Sequence, residues 1–140
     1  MQAINAANTG HSVITTIHAN SCEDTYYRMV TLCKQEQPGM DDATLQNLAT
    51  KAFPIVAFAK RLEDNSRRIM EITECETLQD GRKKIRTLYR FNITDNIIAE
   101  GKPKIIGHYE KVENLSEGLQ KRLRENGLPL KMQEQLLAKQ

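Results

Sequence analysis

The sequence predicts an α/β fold in which helices flank a mixed sheet whose larger part is an antiparallel meander. Three observations carry this. Residues 9–21 (TGHSVITTIHANS) hold a short apolar run with polar residues at both ends and read as one buried strand. Residues 84–93 alternate strictly, with Ile85, Thr87, Tyr89, Phe91 and Ile93 on one face and Lys84, Arg86, Leu88, Arg90 and Asn92 on the other. Stretches with helical spacing and capping residues lie before and after that meander.

In chain order, residues 2–8 have helix-forming composition, and Gly10 stands where a helix commonly ends in a left-handed residue. This short helix reads as the tail of an element, so Met1 is expected to fall inside a larger domain. After the strand, Ser21 with Asp24 forms a Ser-x-x-Asp variant of the capping box. Glu23 and Asp24 sit in the first turn, where the helix dipole favours negative charge. The helix runs over 22–34 with Tyr26, Met29, Val30 and Cys33 on its apolar stripe. Pro38-Gly39 breaks the chain, and Asp41 or Asp42 caps a second helix that carries Leu45, Leu48, Ala49 and Ala52 and stops before Pro54.

Residues 55–59 form a continuous apolar strand, Asp64-Asn65-Ser66 turns the chain, and a second strand covers 67–78. Asp80-Gly81 is the strongest hairpin signal and introduces the alternating strand, which should have one buried and one wet face. A loop near 95–103 and a short edge strand at 104–109 follow. Ser116 caps a helix that ends at Gly127 and Pro129, and residues 130–137 form a last amphipathic helix. As a domain plan, residues 1–140 form one unit: 1–60 the strand and helices, 61–112 the meander, 113–140 the terminal helices.

Composition narrows the function. The chain is 39% hydrophobic and 27% charged, as in an ordinary globular protein. Its net charge is +2 with basic and acidic residues interleaved, and aromatics are 5% with no Trp, which argues against a nucleic-acid interface. Cys22, Cys33 and Cys75 are an odd count without disulfide or zinc spacing, so reduced thiols are expected. Cys22 lies near a helix start, which lowers a thiol pKa, but Glu23 and Asp24 oppose that, leaving a structural thiol as the simpler reading. No apolar run approaches the length of about 18 residues that a membrane span needs, and the N-terminus lacks a signal-peptide pattern.

On a strand, Thr16 and His18 point the same way, so a hydroxyl and an imidazole could reach one anionic group beyond the strand end. The competing reading makes Thr16 a β-branched strand former and His18 a ring satisfied by a backbone carbonyl. His11 and His18 would face opposite sides and lie on the order of 20 Å apart at about 3.3 Å per residue, too far to share a metal. No metal site is expected. None of the glycines begins the pattern GxxxxGK[ST], whose amides cradle phosphates; the only Gly-Lys pair, Gly101-Lys102, runs into Pro103.

Thr9-Gly10-His11, Thr16-x-His18-Ala19-Asn20-Ser21 and Arg28 together resemble the histidine box of the secretion traffic ATPases of type II secretion, type IV pilus, tight-adherence pilus and conjugal-transfer systems. FAKRLEDNSRRIMEITECE (58–76) resembles the hairpin after that box in the tight-adherence and conjugal branch, and GLQKRLRENGLPL (118–130) resembles its C-terminal helix. The resemblance implies the C-terminal portion of a RecA-like P-loop NTPase domain, in which the phosphate loop and acidic boxes come earlier. It implies a nucleotide-sensing role for Thr16 and His18. Gly10 and His11 shape the entry turn, Asn20 and Ser21 the exit, and Arg28 follows on the next helix, where its composition-based reading is a solvated arginine.

It further implies ATP and magnesium in a complete protein, with neither bound nor hydrolysed by this stretch alone, and no catalytic residue within it. A hexameric ring, inner-membrane secretion or pilus machinery as partners, and a cytoplasmic place at the inner face of the membrane follow from the same likeness. The alternative is a protein-interaction module that keeps the scaffold without ATPase chemistry.

Overall fold

A computed structural model describes residues 1–138; Lys139 and Gln140, the end of the stretch assigned to terminal helices, lie outside the described residues. The elements are α1 (Gln2–Asn8), α2 (Cys22–Glu36), α3 (Asp42–Ala52), β1 (Ile55–Arg61), β2 (Arg67–Thr77), β3 (Lys83–Ala99), β4 (Lys102–Lys111), α4 (Glu117–Glu125) and α5 (Leu130–Leu137). The strands form one sheet in the order β1-β2-β3-β4. Connections as short as residues 62–66 and 78–82 permit only antiparallel neighbours, and β3 and β4 pair the same way. The chain divides into two compact units, Met1–Val56 with Cys75–Ile85, and Ala57–Glu74 with Arg86–Gln140.

The first unit is built on the stripes read from the sequence. Tyr26, Met29 and Cys33 of α2 meet Leu45 and Ala49 of α3, with Ile4 of α1 and Cys75 completing the buried cluster. Full burial of a side chain such as Leu45 is worth roughly 1.5–3 kcal/mol. The Tyr26 hydroxyl donates to the carbonyls of Phe53 at 2.7 Å and Pro54 at 3.2 Å, so α2 holds the entrance to β1. The Asn8 amide donates to the Leu48 carbonyl at 3.2 Å and ties α1 to α3.

The second unit centres on Leu88, Phe91 and Ile105, all buried. Glu74 is 3% exposed, and it is the acceptor that fixes the start of α4. Its carboxylate takes the Ser116 backbone N–H at 2.8 Å and, on the other oxygen, the Ser116 hydroxyl. Ser116 Oγ in turn accepts from Leu119 N–H at 3.2 Å, so the N-cap of α4 is itself fixed by a buried carboxyl group. Asp64 does similar work in the β1–β2 turn: one carboxylate oxygen accepts from Ser66, and the other accepts the Ile105 N–H of β4 at 3.0 Å.

Three expectations are corrected. The sheet is not mixed, because the stretch read as its additional strand has no regular secondary structure over residues 11–19. The four strands pair in the order β1-β2-β3-β4, and residues 11–19 lie outside that ladder. The loop at 95–103 is instead a continuation of β3 and β4 around Glu100 and Gly101, with φ of 52° and 74°. Two successive left-handed residues make the tight turn whose twist suits a hairpin. Nor does β3 have one wet face: Leu88 and Phe91, of opposite parity, are each 5% exposed. Arg68 covers the Phe91 ring at 4.9 Å and Tyr109 meets it at 5.0 Å, both within the second unit.

Replacing Glu74 with Ala strands the Ser116 N–H and is expected to lower the unfolding free energy by about 1–3 kcal/mol in urea titration, the cost of a buried donor left unpaired; a loss indistinguishable from zero would refute the role. Asp64 gives a pH signature. The Ser66 hydroxyl, followed by the Ile105 and Ser66 N–H groups, holds its carboxyl below the usual range. A group whose folded pKa is depressed adds stability that is present above its unfolded pKa and disappears as pH falls through the folded one. The chain should therefore lose stability below about pH 4, and Asp64→Asn should flatten that limb; parallel acid limbs in the two proteins would contradict this.

Candidate functional site

The segment between α1 and α2 is fixed at both ends by local chemistry. Gly10 has φ +96° and its N–H reaches the Ala7 carbonyl at 3.3 Å, closing α1 in a conformation that costs a residue with Cβ much more. His11 folds back onto the same helix end: its N–H donates to the Ala6 carbonyl at 3.1 Å, and Nδ1 lies 3.3 Å from that oxygen and 3.4 Å from Thr9 Oγ1. At the far end Asp24 N–H donates to Ser21 Oγ at 3.0 Å, and Asn20 N–H donates to Asp24 Oδ2 at 2.9 Å. The Ser21 half of the predicted capping box is thus formed, while the Asp24 carboxylate takes the N–H of Asn20, one residue before the cap, in place of the N–H of Ser21 itself.

Between these anchors the segment is open to solvent. Val13, Ile17 and Ala19 are half-buried, while Ile14, Thr16, His18 and Asn20 are exposed, Ile14 at 97%. Apart from exposed Thr15, the alternation keeps the two faces the sequence assigns to a strand, although residues 11–19 belong to none. Ile17 packs on the buried cluster of the first unit and gives the segment its hold there. Thr16 and His18 therefore share the exposed side, and among the described residues no hydrogen bond engages either of them. Arg28 is exposed on α2, off its buried stripe.

The seven residues of the motif thus divide. Gly10, His11, Asn20 and Ser21 are held in the turn and cap that flank the segment; Thr16, His18 and Arg28 carry side chains presented to solvent. Among the described residues no group of three or more His, Cys, Asp and Glu could hold a metal ion, and no helix is long and apolar enough to cross a membrane.

Sequence reasoning did not find a cleft of about 460 Å³ in the first unit, lined by residues of α2 and α3 together with Cys75, Lys83 and Ile85. Glu23 and Asp42 bring carboxylates to it and Lys83 an ammonium. Its residues come from four separated segments, α2, α3, β2 and β3, so no local spacing signals it, and Lys83 also donates to Thr77 Oγ1 at 2.6 Å.

A sequence model of the family described as Type II/IV secretion system protein matches residues 1–139. A comparison with curated proteins found no match.

The division within the motif has a measurable consequence. Ser21→Ala should lower stability by about 1 kcal/mol through loss of the cap, whereas Thr16→Ala and His18→Ala should stay within about 0.5 kcal/mol of the parent chain in thermal or urea unfolding. A cost for His18→Ala equal to that of Ser21→Ala would mean that the imidazole is a structural element after all.

Proposed function

The chain belongs to the type II/IV secretion system protein family, and from that premise we propose that it is the C-terminal, histidine-box portion of a RecA-like ATPase domain that powers secretion, pilus assembly or conjugal transfer. Thr16 and His18 sense the terminal phosphate of a nucleotide held mainly by residues outside this chain. The observation that supports this is the contrast within one short segment. The residues on either side are held by hydrogen bonds to helix ends, while the threonine and the imidazole between them are exposed and, among the described residues, unbonded.

The donor set fits a phosphate. A hydroxyl and a ring N–H each give one hydrogen bond to an anionic oxygen, and charge-assisted bonds of this kind are the strong ones. It does not fit the metal. Magnesium takes carboxylate and water oxygens, and the threonine hydroxyl and histidine ring presented here offer neither. The nucleotide supplies the phosphoryl group whose transfer is driven by positioning and charge stabilisation around it.

On this reading the residues here stabilise and report; they do not abstract a proton or hold the metal. Anchored ends matter for that task, because a sensing side chain transmits a displacement only if its backbone moves as a body with the helices that follow. Ser21 and Asn20 couple the segment to α2, and Gly10 with His11 couples it to α1. As part of such a protein the chain works in a ring of like subunits beside the inner-membrane machinery, with Arg28 facing outward from α2.

The test is made in a protein that carries this chain together with a phosphate loop. His18→Ala should lower kcat for ATP hydrolysis by about 10²–10³-fold, as loss of one preorganised donor to developing charge does, while nucleotide affinity changes little. The 140-residue chain by itself should give no ATP turnover. An unchanged kcat in His18→Ala, or a magnesium-dependent rate in the isolated chain that vanishes with His18→Ala, would overturn the assignment.

A further inference from the structure

Among the described residues, the last strand of the sheet has one half of its free edge closed and the other half open. In an antiparallel ladder the backbone groups of successive residues point alternately toward and away from the neighbour. Val112 N–H donates to the Leu88 carbonyl at 2.9 Å, so even-numbered residues of β4 face β3 and odd-numbered ones face outward. The bulge between Ile93 and Asp95 lies in β3 and leaves the alternation of β4 intact, since Gly107 and Ile106 are consecutive partners. Outward, Pro103 has no N–H to offer and the N–H of Ile105 is taken by Asp64. Those are two standard ways of blunting an edge. Beyond them the N–H groups of Gly107, Tyr109 and Lys111 point away from the sheet; the Lys111 side chain turns to the Leu136 and Ala138 carbonyls.

Exposed apolar side chains accompany the open half. Ile106, Tyr109 and Val112 are 39%, 55% and 40% exposed. His108 and Glu110 are exposed on the face that carries Ile106.

We propose that this half-edge is a docking surface for a second copy of the chain, the two β4 strands pairing antiparallel about Tyr109. The sequence of the strand is complementary to itself in that register. Tyr109 meets Tyr109 of the second copy, and Gly107 meets Lys111, so each open donor finds a carbonyl. Ile106 lies opposite Val112, pairing the two remaining exposed apolar groups. His108 lies opposite Glu110, an acceptor already drawing on Asn92 at 2.6 Å and Arg90 at 3.7 Å within its own chain. Asp64 selects the register: a two-fold centred on Gly107 would require the Ile105 N–H, which that carboxylate holds. The contact is isologous, the same surface serving on both copies, and it joins two sheets into one continuous sheet. It does not involve the histidine-box segment and stands apart from the nucleotide reading.

The full chain is examined by sedimentation and light scattering over a concentration series. The expected result is a mass that rises from 16.0 kDa toward twice that value, with Tyr109→Pro, which removes the central donor as Pro103 already does nearby, remaining at the monomer mass. Tyr109→Cys provides a second arm that does not depend on the proline variant folding. In a hydrogen-bonded antiparallel pair the Cα atoms lie about 5.5 Å apart, within the range of about 4.4–6.8 Å for a disulfide. Mild oxidation should therefore yield a covalent dimer. The native cysteines are buried and do not compete. Asn96→Cys on the adjacent strand should not cross-link. A chain monomeric at every concentration, a dimer unaffected by Tyr109→Pro in a folded variant, or equal cross-linking at positions 96 and 109 would each overturn the proposal.

Discussion

Every backbone N–H and C=O in this chain must find a partner in the fold or remain in water, and the way that constraint is met organises the molecule. The four strands pair through short antiparallel connections, while residues 11–19 join no ladder. That segment is apolar enough to be a strand, yet Ile14 stands almost fully in solvent. What keeps it in place is side-chain chemistry at its two ends and Ile17 on the core of the first unit. A segment held by its ends is free to present its middle, which is why the exposed threonine and histidine are the natural place to look for function.

Much of this was legible in the sequence because it is local. The Ser21-Asp24 box, the Asp41 cap with Asp41 Oδ1 accepting from Thr44 N–H at 2.9 Å, and the Ser116 cap all depend on residues within a few positions of one another. The terminal helices and the two turns of the meander follow the same logic. The resemblance to the histidine box was legible in the sequence, and within those residues the structure separates the ones that anchor from those presented to solvent.

The misreadings have one physical origin: local pattern does not report lateral neighbours. The 9–21 stretch has the composition of a buried strand, but no ladder takes it up. The β3–β4 turn was hidden because its first left-handed residue is Glu100, where Asn or Asp commonly signals such a turn. The face assignment along β3 fails at Leu88, since both sides of a sheet can be covered, and the bulge near Thr94 breaks the two-residue period beyond it. Glu74 shows the same limit from the other side. Its charge in a strand gives no hint of burial until Ser116, far along the chain, arrives to donate both its N–H and its hydroxyl.

Asp64 links these themes. A short acidic side chain in a turn is ordinary, and one oxygen does the ordinary work of closing that turn on Ser66. The other oxygen reaches the β4 edge and removes its only available donor between Pro103 and Gly107. An unpaired strand edge is a liability that folded proteins suppress with proline, charge or cover. Here suppression stops halfway along the strand, at the point where glycine, tyrosine and lysine begin and where the exposed side chains become mutually complementary. A fold that needed only protection would have extended the same devices to the end of the strand. Protection that ends where self-complementarity starts is the pattern expected of an edge kept available for one partner and closed in the registers that partner does not use.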